Sequence, residues 1–370
     1  MSRLKSFLLN MLIAAASLVL LIAALEFTAR LLLPETRVRL VGGDLFVKGK
    51  AHPRSMVPNF KGKLISPEYA VPVTTNSMGL RDFEYPLKKT TKVYRILAIG
   101  DSFTWGWGVR AKDTYAKVLE RLLDTHSRDG TRYEVINMAM PNTATLEEIE
   151  VIKEGLKYQP DLVLIGFLAE DRWSQNGNDL YDNVVYWKRL GRKDTKKISR
   201  RATEPSLLSR SRKYVLAKLN DVWGFLQKHS RGFSYVMTKA GTFLRTSLVG
   251  LREGGHEKEL GKAWKITQSA FLEIDALAKQ HHFNVVIVRI PFLYDVSTKE
   301  TDKVSEVLSE FSRKHGLAFF DLLPLLHRHK TKRLYFSADG HWTPLAHKVS
   351  AEGIYHFLVS ENILGADVRD

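Results

Sequence analysis

The sequence predicts a doubly wound α/β fold, three α/β/α layers built on a mostly parallel five-stranded sheet, with one transmembrane helix ahead of it. Three observations predict this. From residue 92 onward, short β-branched apolar runs alternate with helical stretches, the pattern of a parallel sheet with crossover helices. Each run is apolar at consecutive positions, so both faces of the sheet are covered. The N-terminus carries an apolar run too long for an ordinary signal peptide. A length of 370 residues accommodates one such domain together with an anchor and an insertion.

In chain order, Arg3 and Lys5 precede the apolar run Phe7–Leu25, which only Asn10 and Ser17 interrupt. Its nineteen residues, at a rise of 1.5 Å each, span roughly 28 Å, close to the hydrocarbon thickness of a bilayer. A cleaved signal has an apolar core of about 7–15 residues and a small-x-small site after it. Neither is present, so residues 1–32 are expected to be an uncleaved signal anchor. Arg30, Arg37 and Arg39 flank the far end, so the positive-inside rule alone does not orient it. Residues 33–92, with Pro34, Pro53, Pro58, Pro67, Pro72 and Pro86, are expected to be an irregular lead-in. Within it, Thr75-Asn76-Ser77-Met78-Gly79-Leu80-Arg81-Asp82 reads as a turn.

The expected strands are Tyr94–Gly100, Tyr133–Met140, Asp161–Phe167, Asn284–Ile290 and Leu317–Leu322. The expected helices between them are Tyr115–Thr125, Leu146–Tyr158, Ala263–Gln280 and Asp302–Lys314. Residues 174–262 do not fit this alternation and form an insertion within the domain at 93–368. The span 172–262 holds twenty Lys or Arg against eight Asp or Glu, much of the net charge of +16. Leu207–Gln227 and Phe233–Leu251 read as amphipathic helices. One reading is a helical cap with a solvated basic face; the other is a surface for anionic lipid or an acidic glycan. No nucleic-acid module is recognisable there, so no nucleic-acid partner is expected. The chain has no Cys, which excludes disulfides, thiolate catalysis, Cys-based zinc sites and a lipid-modified N-terminal Cys.

The chemistry concentrates in two segments. The first strand runs into Gly100-Asp101-Ser102-Phe103-Thr104-Trp105-Gly106-Trp107-Gly108. Ser102 therefore lies at the carboxyl end of a parallel strand, where ligands bind, and at the start of a helix, where a backbone N–H is free for an oxyanion. Near the C-terminus stands Asp339-Gly340-His341-Trp342. A hydroxyl needs a neighbouring base to act as nucleophile, and His341 supplies one, with Asp339 to hold its tautomer. Trp105, Trp107 and Trp342 flank the site and are read chiefly as packing. His347 stands six residues beyond His341, not a metal spacing; neither a metal nor a cofactor is expected.

These residues resemble the SGNH, or GDSL, hydrolase family over about residues 93–360. The Asn-Ser-x-Gly-x-Arg-Asp stretch at 76–82 is similar to that of membrane-anchored bacterial members. The resemblance implies Ser102 as nucleophile and His341 with Asp339 as base and acid. It also implies a flavodoxin-like fold. The Asp-x-His-Trp spacing is similar to that of polysaccharide O-acetyltransferases of the alginate type. The second family block falls on Asn137–Thr143, with Asn142 at the usual Gly position and a backbone N–H still able to donate. The third block puts Glu170 where the family has the Asn that donates to the oxyanion. An ionised carboxylate accepts only, so Glu170 would have to be protonated to serve, and a lost donor typically costs ~10²–10³ in rate. Asp101, Asn142 and Glu170 are thus placed on the oxyanion and substrate side. The implied activity is hydrolysis of acyl esters, chiefly O-acetyl, on cell-envelope carbohydrate or lipid. That sets the domain outside the cytoplasmic membrane, on a single-pass anchor. Two alternatives stand beside it: an O-acyltransferase on an envelope polysaccharide, and a non-catalytic binding or assembly protein for one.

Overall fold

A computed structural model of the chain describes residues 2–32, 38–47, 55–169, 222, 225, 226, 229–236, 256–298, 301–337 and 339–365. By its internal contacts the chain divides into two units, residues 1–38 with 199–253 and residues 39–198 with 254–370. Most of the basic insertion, Glu170 and the Asp171-Arg172 pair beside it lie outside the described residues.

In the first unit, helix α1 spans Ser2–Leu32. Its segment Leu9–Leu32 is long and apolar enough to cross a membrane, with a mean hydropathy of 2.3. Near its end, the Glu26 carboxylate accepts from Arg30 Nε at 2.8 Å, Ser230 Oγ at 2.7 Å and the Arg231 N–H at 2.8 Å. Arg30 in turn donates to the carbonyl of His229 at 2.7 Å. A short helical stretch over 231–236 thus has its first N–H group satisfied by α1.

The second unit begins with a correction. The lead-in at 33–92 is not irregular throughout. It holds strands β1 (Arg39–Val41), β2 (Phe46–Val47), β3 (Ser55–Met56), β4 (Lys61–Ile65) and β5 (Ala70–Thr74). β1, β4 and β5 form an antiparallel sheet with β4 central; β2 and β3 form a separate pair. In β5, Val71 and Val73 are buried while their neighbours are exposed, the period-2 pattern of a half-buried strand. Pro72 is tolerated because β5 is an edge strand and its missing N–H costs no ladder bond.

The main sheet follows the expected α/β/α plan. Its strands are β6 (Val93–Gly100), β7 (Arg132–Asn137), β8 (Leu162–Leu168), β9 (Asn284–Ile290) and β10 (Ala318–Asp321). All neighbours are parallel, in the order β7-β6-β8-β9-β10. The expected second strand is three residues too long at its end. There the chain leaves the regular ladder but keeps company with β6, through Met138 N–H to Ala98 O and Met140 N–H to Gly100 O, both 3.0 Å.

Alternate residues of each strand feed two cores, one on each face of the sheet. On β6, Ile96 and Ala98 pack with α3 (Tyr115–His126), α8 (Leu322–Arg328) and α9 (Pro344–Ser360). Leu97 and Ile99 pack with α4 (Thr145–Gly155), α5 (His256–His281) and α7 (Lys303–His315). The remaining helices, α2 (Ser102–Trp105) and α6 (Leu293–Thr298), are short. The chain passes from β6 to β7 on one side and then crosses to β8 on the other. The carboxyl ends of β6 and β8 therefore flank the topological switch point, where doubly wound sheets bind ligands.

Candidate active site

Ser102 opens α2 immediately after β6. Gly100 makes the turn possible: its φ is +154°, and a Cβ there would lie 2.3 Å from Thr104 Oγ1 and 3.0 Å from the carbonyl of Gly166. Asp101 then caps the helix, its carboxylate accepting the Phe103 N–H at 2.9 Å. Asp101 is 3% exposed and caps the short helix directly beneath Ser102. Its other oxygen lies 3.4 Å from Ser102 Oγ.

The C-terminal segment brings His341 to this point. His341 Nε2 lies 2.9 Å from Ser102 Oγ, across 239 residues of sequence. Its Nδ1 faces Asp339 Oδ1 at 3.4 Å. The same oxygen accepts the His341 backbone N–H at 3.1 Å. Burial alone would raise the Asp339 carboxyl, but the donors His341 and Tyr69 hold it below its ordinary value. The imidazole is held flat by aromatic rings, Trp107 at 5.7 Å and Phe103 at 5.0 Å between centroids. Trp105 and Trp342 are buried packing residues; only Trp107 of the three is partly exposed.

The loop that carries Asp339 and His341 is a tight hairpin. Tyr335 and Trp342 pair across it, and the Phe336 N–H donates to His341 O at 2.8 Å. Gly340 takes a φ of +76°, which turns the chain between the two residues. Asn142, assigned to the oxyanion side by resemblance, has a φ of +63°, a left-handed conformation that Asn tolerates. Glu170 lies outside the described residues, two positions beyond the end of β8.

Three contributions had no role in the sequence reading. Tyr69, in the turn between β4 and β5, donates its O–H to Asp339 Oδ2. Arg81, inside the Asn76–Asp82 stretch, is buried and donates to the carbonyls of Trp105, Gly106 and Val109, just after the nucleophile helix. His347 accepts the Tyr115 N–H through Nδ1 at 3.1 Å. Burial first, then the charges of Arg81 and His341, pull His347 down to about 3, so it stays neutral as an acceptor at the start of α3. Of these, only Arg81 had a signal, the motif around it.

No family model matches the chain, and no curated protein does. Among solved structures it is similar to TesA, at 13% identity and a TM-score of 0.39, over 71% of this chain and 97% of that one. It is similar to the acetylxylan esterase Axe2 from Geobacillus stearothermophilus, at 12% identity and a TM-score of 0.38, over 72% and 94%. It is also similar to a two-domain esterase active on acetylated mannans, at 12% identity and a TM-score of 0.39, over 75% and 51%. Likenesses of this degree decide nothing about activity.

Proposed function

We propose that the chain is a serine esterase that works through Ser102, His341 and Asp339. The observation that carries this reading is the 2.9 Å approach of His341 Nε2 to Ser102 Oγ at the switch point of the sheet. His341 removes the hydroxyl proton as Ser102 attacks an ester carbonyl, and Asp339 offsets the imidazolium that forms. In this reading the N–H groups of Ser102 and Asn142 are the backbone donors to the tetrahedral oxyanion. His341 then protonates the departing alcohol, and water releases the acyl group from Ser102. A small acyl group on envelope carbohydrate or lipid fits an anchored enzyme, with α1 in the cytoplasmic membrane and the second unit outside. The basic insertion would then face anionic lipid or an acidic glycan. Transfer to a sugar hydroxyl instead of water is the second reading, and the Asp339-Gly340-His341-Trp342 spacing favours it.

The test is covalent labelling of the full-length protein with a fluorophosphonate, followed by peptide mapping. The adduct is expected on Ser102. Hydrolysis of an activated acetate ester is expected to vanish in Ser102→Ala and His341→Ala. A protein that neither labels nor hydrolyses would replace this reading with a binding or assembly role. An adduct on Ser102, with acyl passed to added oligosaccharide faster than to water, would make it a transferase.

A further inference from the structure

The acid of the triad sits unusually near its base in sequence. With only Gly340 between them, Asp339 Oδ1 is drawn to the His341 backbone N–H at 3.1 Å and stands 3.4 Å from Nδ1. That second distance is beyond the 2.7–3.2 Å of a normal N–H···O bond, about the range a tight Asp–His pair needs. The short loop alone does not aim the carboxylate at the ring. A second group does touch it. Tyr69 is 9% exposed, its O–H donates to Oδ2, and its ring packs 4.7 Å from Phe336 on the same hairpin.

The turn that bears Tyr69 is itself fixed to the hairpin. Ser66 N–H closes it by donating to Tyr69 O at 2.8 Å. Glu68 accepts the Ser337 N–H at 3.0 Å and pairs with Arg333. On the other side, a Cβ on Gly108 would lie 2.8 Å from both the Phe336 and Tyr69 rings, so a glycine there lets the three segments close up. Burial, followed by the neighbouring Asp339 charge, raises the Tyr69 phenol, which keeps it a neutral donor.

We propose that Tyr69 is a positioning residue of the catalytic triad. It pins Asp339 Oδ2 from the β4–β5 turn, so that Oδ1 stays turned toward His341 Nδ1. The lead-in sheet thereby completes the site. This inference rests on the esterase reading and adds to it a group from outside the main sheet.

The experiment is a double-mutant cycle in the full-length protein with one activated acetate ester. Tyr69→Phe keeps the ring against Phe336 and removes only the donor. It is expected to lower kcat about tenfold to a hundredfold with KM unchanged, the scale of a misaligned catalytic group. Asp339→Asn is expected to lower kcat as well. In the Asp339→Asn background, Tyr69→Phe should cost nothing further, because no carboxylate remains for it to hold against His341. A parental kcat in Tyr69→Phe would overturn the proposal. So would a loss of the same size in the Asp339→Asn background, which would make Tyr69 plain packing. An inert parent, unlabelled at Ser102, would overturn the esterase reading and this inference together; an active parent with either result above overturns this inference alone.

Discussion

Arg81→Met removes a buried cation that holds the turn after α2. Arg81 Nη1 donates to Trp105 O at 2.9 Å and Gly106 O at 2.7 Å, and Nη2 to Val109 O at 2.5 Å. The guanidinium carbon lies 4.2 Å over the Trp105 ring. Burial pulls its pKa down to about 10, so it is charged at neutral pH. Each hydrogen bond to a charged group is worth about 1.5–3 kcal/mol net, and three from one head group do not add fully. Three carbonyls left without their donor put the loss on the order of 4 kcal/mol. At about 2–4 °C per kcal/mol for a domain of roughly this size, melting should fall by about 8–16 °C. Lysine, with one point charge in place of a planar fork, should recover only part of this. The assay is thermal unfolding of the detergent-solubilised protein, followed by tryptophan fluorescence, with kcat measured at a temperature where each variant is folded. Trp107 leaves the same turn to stack on His341, so kcat should fall even in the folded variant. A melting temperature of Arg81→Met within about 2 °C of the parent would refute the reasoning.

Two further predictions address groups away from the triad. Burial first, then the nearby Asp101 and Glu147, holds the Glu148 carboxyl well above its ordinary value. The folded state thus keeps a proton that the unfolded chain releases near ~4.3, and the associated stabilisation is lost as pH rises through the higher, folded value. Glu148→Gln has no such proton to lose, so its melting temperature relative to parent should rise between about pH 5 and about pH 9; a difference independent of pH would sink the argument. For α1, the 24 residues Leu9–Leu32 reach about 36 Å at 1.5 Å each, enough for a bilayer. Full-length protein should stay in the membrane after carbonate washing and begin at Met1 or Ser2, whereas an N-terminus near residue 27 would show that the segment is removed.

The main sheet was legible because its strands are buried on both faces and therefore read as continuous β-branched runs; β9 begins and ends where the run does. The helices were legible by period, although α5 starts seven residues before the expected Ala263, inside the charged stretch where periodicity is weak. The lead-in sheet was not. Its strands are two to five residues long, one carries a proline, and only four of their residues are buried, so composition resembles loop. Ser102 and His341 were legible as residue types in a motif, but the capping role of Asp101 was not, because a cap shows itself only through burial and the backbone N–H it accepts. Tyr69 was beyond reach for a different reason. Its partner is 270 residues away, and a tyrosine in a turn carries no periodic signal.

The spacing of Asp339 and His341 gives the proposed role of Tyr69 its physical reason. The hairpin is pinned at its base by the buried Tyr335 and Trp342 and closed at its tip by the Gly340 N–H on Phe336 O at 2.9 Å. A hairpin this tight fixes the His341 backbone, and the rings of Trp107 and Phe103 fix its imidazole. It does not fix Asp339 in the same way, because an aspartate two residues ahead of a donor folds back onto that donor's N–H, as Asp339 does. One carboxylate oxygen is thereby committed to the main chain, and the angle it presents to the ring depends on where the other oxygen is held. A hydroxyl brought in from a separate sheet supplies that hold without adding charge. If Tyr69 acts as proposed, the two-residue spacing and the lead-in sheet work together, and a chain lacking residues 1–92 would keep Ser102 and His341 but lose the Tyr69 contact to Asp339. Such a fragment should fold less stably, since Arg81 is lost with Tyr69, and its remaining turnover should no longer respond to Asp339→Asn. A fragment whose turnover still falls on Asp339→Asn by the parental factor would show that the hairpin aims its own acid.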